Sequence, residues 1–376
     1  MVTTSFPDLN FQPGGDLAGA FSLDFAIHLA EHVKVTVIAP SGRDFTEKLG
    51  DVTIRRFAVP SLPLSLLKPY HPGHWPKIIE TLRAGRNALH QVAEEEPLDH
   101  IFALWALPSG HWARSVTRSK GVPYSIWSLG SDVWVLGKVP LVKRVLRGVL
   151  TDAAARFADG FVLKQDIENI CGKECLFLPS SRKLPDAGSK TQAQNPPYKL
   201  AFLGRWHPNK GVDLLMDSLK RLSEDDWTRI KEVRVCGGGP MEGIVRETAN
   251  ALKATGRPVT VEGYLNRQEA AELYNWADYL ILPSRIESIP VIFSDCMQGR
   301  LPLISTPIGD LPRLMREYQV GVLADAVTPQ ALVQAIGHAL SEAPAQFTAG
   351  IELARQQFDV SQAAQYFLNQ VAPGII

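Results

Sequence analysis

The chain has 376 residues, equal numbers of basic and acidic side chains (39 each) and 45% hydrophobic residues. Zero formal charge argues against a general nucleic-acid binder, which normally carries a basic excess, and the composition is that of an ordinary soluble protein. Because domains usually span about 100–200 residues, the length predicts two of them.

The N-terminal half alternates short apolar runs with longer helical patterns. We expect strands at residues 1–5, 33–39, 52–57, 99–104, 123–127 and 160–163, with helices at 20–32, 75–95 and 139–156. Such alternation predicts a parallel sheet with crossover helices.

A polar stretch rich in Pro and Ser, residues 180–197, is the best candidate for a linker. After it the alternation restarts, with strands expected at 199–204, 232–236, 259–262, 279–282, 301–305 and 320–323, a helix at 211–222 and a last helix at 351–371. The sequence therefore predicts an α/β fold of two doubly wound, Rossmann-like domains. Each should bind ligands at the carboxyl ends of its strands, so that the two domains face a cleft.

Targeting and metal signals are weak. No run approaches the roughly 20 apolar residues of a membrane-spanning helix, and the first residues do not look like a signal peptide. The four cysteines, Cys171, Cys175, Cys236 and Cys296, lack the spacing and neighbours of a zinc site. We expect a cytoplasmic protein with no metal and no cofactor.

The strongest chemical signal opens the second half. Gly204-Arg205 ends a predicted strand, and Lys210-Gly211 opens the next helix. Two cations flanking one such loop can bind a diphosphate, Arg as a fork and Lys as a point charge, with help from the helix N-terminus. The alternative is a solvated loop that happens to be basic.

A second signal follows the strand predicted at 279–282. Glu287 lies in the loop, and Asp295 interrupts the apolar face of the next helix. A buried carboxylate needs partners, and sugar or ribose hydroxyls would serve. The alternative is that Glu287 is an ordinary charge at a helix N-terminus and Asp295 is exposed.

These motifs, followed by the segment 299–309 (GRLPLISTPIG), together resemble the retaining GT-B glycosyltransferases of family 4, also called glycosyl transferases group 1. The resemblance implies an N-terminal acceptor domain (residues 1–185, joined by a C-terminal helix at 356–376 that crosses back onto it) and a nucleotide-sugar domain (196–355). It also implies that the chain near residues 358–361 acts as part of a hinge.

The resemblance assigns roles to particular residues. Arg205 and Lys210 would hold the donor diphosphate, Glu287 the donor sugar, and Asp295, which stands where Glu is usual, the ribose. We therefore expect Arg205, Lys210 and Glu287 to be catalytic. The full donor set comprises Gly204, Arg205, Lys210, Gly238, Tyr264, Leu265, Glu287, Ser288, Ile289 and Asp295.

The N-terminal half matches the family more loosely. Gly14, Gly15 and Gly19 resemble a glycine loop that approaches the phosphate and the acceptor. Leu129 stands where the family usually has His at the reaction centre, while Asp132 remains, either as a partner of an acceptor hydroxyl or as a helix cap. His111 could substitute for the missing His.

The implied activity is hexosyl transfer, with retention and without a metal, from a nucleotide-diphosphate sugar to a glycan or lipid-linked acceptor. A non-catalytic nucleotide-sugar-binding subunit is the alternative, which Leu129 and Asp295 favour. A NAD-dependent enzyme is excluded by the absence of the G-x-G-x-x-G fingerprint.

One further pattern concerns partners. Residues 138–150 interleave basic and apolar residues, as in a basic amphipathic helix. Such a helix could dock on an anionic membrane surface that holds a lipid-linked acceptor, at the inner face of the membrane. The alternative is an ordinary helix of the domain surface.

Overall fold

The computed structural model describes residues 1–8, 19–62, 64, 67, 71–188, 190 and 192–373. The chain forms two compact units. Unit 1 comprises Met1–Arg182 and Val360–Ile376, and unit 2 comprises Lys183–Asp359. The chain thus leaves unit 1 beside the polar stretch 180–197 and returns to it near residue 360.

Strands and helices alternate along the chain. The strands are β1 (Val35–Ser41), β2 (Phe45–Leu49), β3 (Val52–Ala58), β4 (Ile101–Leu104), β5 (Tyr124–Ser128), β6 (Ala155–Ala158), β7 (Leu176–Phe177), β8 (Tyr198–Arg205), β9 (Ile230–Gly238), β10 (Val259–Glu262), β11 (Tyr279–Leu282), β12 (Leu303–Ser305) and β13 (Gly321–Leu323). The helices are α1 (Ala20–Ala30), α2 (Trp75–Glu95), α3 (His111–Lys120), α4 (Ser131–Trp134), α5 (Pro140–Asp152), α6 (Phe161–Cys171), α7 (Val212–Leu219), α8 (Glu224–Thr228), α9 (Glu242–Ala254), α10 (Arg267–Trp276), α11 (Val291–Gln298), α12 (Leu311–Tyr318), α13 (Pro329–Leu340), α14 (Thr348–Gln357) and α15 (Val360–Val371).

The sheet of unit 1 has two sections, in the orders β1-β3-β2 and β4-β5-β6-β7. Val2 bridges them, because it pairs in parallel with Ile38 of β1 and with Ala103 of β4. The short first strand expected at residues 1–5 is therefore reduced to this bridge. All pairs in both sections are parallel except β2 with β3.

Helices cover both faces of this sheet. Buried side chains of α2, α3, α5 and α6 share one apolar core, and those of α1 and α15 share the other. The Phe367 ring of α15 lies 4.0 Å, centroid to centroid, from Phe102 of β4. The prediction that the C-terminal helix crosses back onto the N-terminal domain is confirmed.

Unit 2 contains one parallel sheet in the order β10-β9-β8-β11-β12-β13. From β8 the chain builds outward to β9 and β10, and then returns to the other side of β8 as β11. The strand order therefore reverses between β8 and β11. In doubly wound sheets the crevice at such a reversal, beyond the carboxyl ends of the strands, is where ligands bind.

Two sequence-based expectations were wrong in detail. Residues 160–163 were expected to form a strand, but α6 begins at Phe161. A short apolar run cannot be assigned to strand or helix by periodicity alone. The helix expected at 351–371 is two helices, α14 and α15, separated by Phe358 and Asp359.

Candidate functional site

The loops that follow β8 and β11 meet at the strand-order reversal of unit 2. Gly211 adopts a left-handed conformation (φ 67°), and a Cβ at this position would lie 1.8 Å from the carbonyl oxygen of Pro283. Only glycine permits this approach. The tight contact places the Lys210 turn directly beside the loop that carries Glu287.

Lys210 and Glu287 form an ion pair across these loops. Their side chains are partly buried, with 38% and 15% of their surfaces exposed. Arg205, at the end of β8, is exposed and makes no ion pair within the described part of the chain. The structure thus brings together a charged pair and an uncompensated guanidinium group on neighbouring strand ends.

A residue outside the predicted site, Arg285, connects the same two loops. Its guanidinium group forms a bidentate pair with Asp213, at 2.7 and 2.8 Å, and donates to the carbonyl oxygen of Pro208 at 2.6 Å. Its backbone N–H donates to the carbonyl oxygen of Asn209 at 2.8 Å. We call the Arg285–Asp213 pair the brace, because it fixes the turn that precedes α7 against the loop that follows β11.

The brace changes the acidity of both partners. Burial alone would raise the pKa of Asp213, but the hydrogen bonds and positive charge of Arg285 outweigh it and lower that pKa. The hydrogen bonds to Asp213 raise the pKa of Arg285 against the opposing effect of burial. Both groups are therefore charged at neutral pH. The sequence signal for the pair was the acidic residue three positions after Lys210 and the Arg two positions before Glu287.

The backbone after Glu287 is held from a third loop. A Cβ at Gly309 (φ 51°) would lie 2.3 and 2.4 Å from the carbonyl oxygens of Glu287 and Ser288, and the Asp310 N–H donates to the Ser288 carbonyl at 3.3 Å. Within the described residues, the amides of Ser288 and Ile289 donate no hydrogen bond. Both residues are buried. Buried amides are rarely unpaired, so this pair can bind an oxygen of a ligand.

Other predicted donor residues lie around the same edge. Gly238 ends β9, and its carbonyl oxygen accepts a hydrogen bond from the Tyr264 hydroxyl at 2.8 Å. Tyr264 is 58% exposed, and Leu265 beside it is half-buried. Gly204 pairs in register with Gly237 at the ends of β8 and β9.

Asp295 occupies a different environment from Glu287. It is 1% exposed on α11, and its Oδ2 accepts a hydrogen bond from the Tyr274 hydroxyl at 3.1 Å. The alternative that Asp295 is an exposed surface charge is wrong. The carboxylate has a protein partner, which the sequence did not indicate.

In unit 1 the carboxylate of Asp132 serves the protein backbone. It is 1% exposed, and its two oxygens accept hydrogen bonds from the N–H groups of Ala106, at 2.6 Å, and Leu129, at 3.3 Å. Burial raises the pKa of Asp132, although these hydrogen bonds oppose the rise. Asp132 therefore ties the loop after β4 to the loop after β5.

The remaining predicted residues of unit 1 are less informative. Gly14 and Gly15 lie outside the described residues. Gly19 precedes α1, and its carbonyl oxygen accepts from the Ser22 hydroxyl at 2.5 Å. His111, the first residue of α3, is exposed. Partial burial of its imidazole ring, followed by the positive charges of Arg114, Arg86 and Arg118, nevertheless lowers its pKa.

Two kinds of feature are absent from the described residues. None of their helices combines the length and apolarity needed to cross a membrane. Among these residues there is also no group of three or more His, Cys, Asp or Glu side chains that could hold a metal ion.

Comparisons with known proteins concern the sequence of unit 2 and the fold of the chain. Residues 197–342 match the family model described as glycosyl transferases group 1. The D-inositol 3-phosphate glycosyltransferase of Corynebacterium glutamicum is 28% identical over 151 residues, which are 38% of this chain and 35% of that protein. The chain thus matches about a third of the length of this relative. The resemblance to the glycosyl transferases group 1 is confirmed over residues 197–342.

Solved structures share the fold of nearly the whole chain. Sucrose-phosphate synthase from Thermosynechococcus elongatus superposes with a TM-score of 0.70 at 15% identity, over 97% of this chain and 96% of that one. Anabaena HepE, solved in complex with UDP, gives a TM-score of 0.70 at 14% identity, over 99% and 98% of the two chains. These likenesses confirm the predicted GT-B class of fold.

Proposed function

We propose that the protein is a glycosyltransferase that transfers a sugar, with retention of configuration, from a nucleotide-diphosphate sugar to a glycan or lipid-linked acceptor. The observation that carries this proposal is the Lys210–Glu287 pair at the strand-order reversal of unit 2, beside exposed Arg205. The cations would bind a diphosphate, and the carboxylate beside them would bind sugar hydroxyls. The UDP bound by Anabaena HepE, which has the same fold, supports a nucleotide as the donor's carrier.

In this reaction an acceptor oxygen bonds to the anomeric carbon as the bond from that carbon to the diphosphate breaks. Arg205 and Lys210 would stabilise the negative charge that develops on the leaving nucleoside diphosphate. Glu287 would orient the sugar, and the unpaired amides of Ser288 and Ile289 would donate to its oxygens or to the phosphate. The departing diphosphate takes the acceptor proton. No residue of the chain need act as a nucleophile.

Metal independence is part of the proposal. Two protein cations can compensate the diphosphate charge where other enzymes use Mg²⁺. With a glycan or lipid-linked acceptor, the reaction would serve the assembly of surface polysaccharide or glycolipid at the inner face of the membrane. An anionic membrane surface is the partner that the basic helix α5 would contact.

A non-catalytic nucleotide-sugar-binding subunit is the second candidate. It is favoured by the position of Asp132, whose two carboxylate oxygens are bonded to backbone amides, and by Leu129 in place of a His. Such a protein would bind the donor in unit 2 without turning it over.

One experiment separates the two candidates. Purified protein is incubated with UDP-, GDP- and ADP-glucose in EDTA, with and without a mixture of oligosaccharide and lipid-linked acceptors, and release of nucleoside diphosphate is followed. We expect turnover with one donor, an α-linked product by NMR, and loss of turnover in Glu287→Ala. If the wild-type protein binds a donor but shows no turnover under all of these conditions, the non-catalytic subunit is favoured.

A further inference from the structure

Exposed apolar side chains of unit 1 are concentrated in two short segments. Ten large apolar residues are exposed among the described residues of this unit, and seven of them lie either at the start of α2 or between α4 and the middle of α5. They are Trp75 (56% exposed), Ile79 (42%), Leu82 (38%), Val135 (63%), Val139 (47%), Leu141 (78%) and Val145 (39%). We call these two segments the α2 patch and the α5 patch.

The two patches lie on the same side and at the same edge of unit 1. Both helices belong to the layer that packs on one face of the sheet. Each is the crossover that leads into the next parallel strand, so each begins at the carboxyl edge, where ligand-binding loops lie. Helix α3 contacts both α2 and α5, and two interhelical spacings of about 10 Å separate the patches by about 20 Å.

Within each patch the apolar residues follow helical spacing. Ile79 is four residues after Trp75 and Leu82 three residues after Ile79, so they share one stripe of α2. Leu141 and Val145 are likewise four residues apart on α5 and both are exposed, whereas Leu146 and Val149, further along the helix, are buried. The outer surface of each helix therefore carries apolar side chains that the core does not use.

Positive charge accompanies both patches. Residues 71–86 and 135–147 together contain seven Lys and Arg but only one acidic residue, in a chain whose total formal charge is zero. Lys77, Arg83 and Arg86 of α2 are exposed, as are Lys143, Arg144 and Arg147 of α5. Within the described part of the chain, none of these six forms an ion pair, whereas nearby Arg114 and Arg118 both pair with Asp152.

We infer that the α2 and α5 patches together form a docking surface for an anionic lipid bilayer. Exposed aliphatic and Trp side chains among unpaired cations are the composition that inserts at a headgroup boundary, and each cation near an anionic surface strengthens binding. Contact through two elements about 20 Å apart fixes the orientation of unit 1, whereas contact through α5 alone would leave it free to rotate. The carboxyl edge of the sheet, with Asp132 and the loop after β5, then lies beside the bilayer surface.

This inference rests on the proposed function in one respect only, namely that a lipid-linked acceptor would reach unit 1 from that edge. Binding to a bilayer needs neither donor nor turnover. A failure of membrane binding therefore leaves the proposed transferase activity standing, and a failure of activity leaves the docking surface standing.

The test is sedimentation of the full-length protein with vesicles of phosphatidylcholine, alone or mixed with phosphatidylglycerol at about 7:3. We expect binding to the mixed vesicles only, weakened by added salt. The triple variant Lys143→Gln, Arg144→Gln, Arg147→Gln should bind about 100-fold more weakly. Leu141→Gln and the pair Trp75→Gln, Ile79→Gln should each lose about tenfold.

Matched controls come from unit 2. Leu353 is 60% and Ile244 49% exposed, so Leu353→Gln with Ile244→Gln removes similar apolar surface. Arg221→Gln, Lys231→Gln and Lys253→Gln remove three exposed charges that make no ion pair within the described residues. Both sets should bind vesicles as wild type does. All variants should keep the wild-type melting temperature, because the altered side chains lie on the surface.

Three outcomes of the vesicle test would overturn the inference. They are absence of wild-type binding to mixed vesicles, equal losses in the unit 2 controls, and wild-type binding by the Trp75→Gln, Ile79→Gln variant, which would remove α2 from the surface. Sedimentation velocity tests the competing occupant, a second copy of the chain. A wild-type dimer that Leu141→Gln converts to monomer would assign the surface to self-association and contradict docking on lipid.

Discussion

The loops at the carboxyl edge of the two sheets use their charged residues in opposite ways. In unit 2, Lys210 and Glu287 follow different strands and remain partly exposed. The brace of Arg285 and Asp213 connects the two loops that carry them. In unit 1 the conspicuous carboxylate, Asp132, is buried and bonded to two backbone amides. One edge therefore presents side chains that can exchange partners with a ligand. The other uses its charged group to maintain loop shape.

This difference indicates a division of work between the two edges. In the proposed reaction the donor diphosphate carries fixed charge and requires charged partners, and the edge of unit 2 has exposed and partly exposed charged side chains. An acceptor hydroxyl is neutral and can be positioned by backbone groups and by the shape of the loops. In the proposed reaction the leaving diphosphate takes the acceptor proton, so unit 1 need not provide a base.

Removing a charge at the unit 2 edge should have the largest effect. In Lys210→Ala we expect kcat/KM for the donor to fall about 1,000-fold, since the charge on the leaving diphosphate loses a direct partner. The measurement is the initial rate of nucleoside diphosphate release. The control is Lys220→Ala, which removes an exposed ion pair with Asp217 and should change the rate less than about twofold. Similar rates in the two variants would contradict the role of Lys210.

Weakening the brace should have a smaller effect on the same edge. Arg285→Lys keeps the charge but loses the bidentate pair with Asp213, so we expect donor affinity by calorimetry to fall about tenfold. Arg246→Lys, at the exposed Arg246–Glu242 pair of α9, is the matched control and should bind normally. If Arg285→Lys bound the donor as well as wild type, the brace would not position the site.

At the unit 1 edge the effect should appear in stability rather than in donor binding. Asp132→Asn replaces one of two accepting oxygens with an amide donor facing backbone N–H groups. We expect the free energy of unfolding to drop by about 2 kcal/mol. Denaturant titration measures the loss, and Asp152→Asn at the surface should lose under about 1 kcal/mol. A tenfold loss of donor affinity in Asp132→Asn would break the comparison between the two edges.

The smallest effect is expected from Tyr274→Phe. It removes the hydrogen bond to Asp295 and should lower the free energy of unfolding by about 1 kcal/mol. The same variant tests the role of Asp295. If Asp295 also binds the ribose, the Tyr274→Phe protein should keep most of its affinity for the donor. UDP titration of Asp295→Ala completes the test. Unchanged affinity there would mean that Asp295 is a structural residue only.

Much of unit 2 could be predicted from the sequence because its signals are local. The bounds expected for β10 and β11 agree with the structure, and Lys210 and Glu287 each follow a strand that contains a run of apolar residues. The brace could not be predicted in the same way. Arg285 and Asp213 are 72 residues apart, and only the strand order brings them together.

The same limit applies to unit 1 and to Asp295. Asp132 pairs with Ala106, 26 residues away, so a local pattern left both helix cap and acceptor partner open. Tyr274 is 21 residues from Asp295, and no periodicity connects them. The α2 patch was also missed, because its apolar residues fit the helix predicted at 75–95 and only the structure shows that they are exposed.

The central claim is that unit 2 binds a nucleotide sugar through Arg205, Lys210 and Glu287 without a metal. The most direct test is the melting temperature in the presence of UDP-, GDP- and ADP-sugars, with Mg²⁺ or with EDTA, because a ligand that binds only the folded protein must raise it. We predict an equal rise in Mg²⁺ and EDTA with one nucleotide sugar, absent in Arg205→Ala and Lys210→Ala. No rise with any nucleotide sugar, or a rise that both variants retain, would contradict the account.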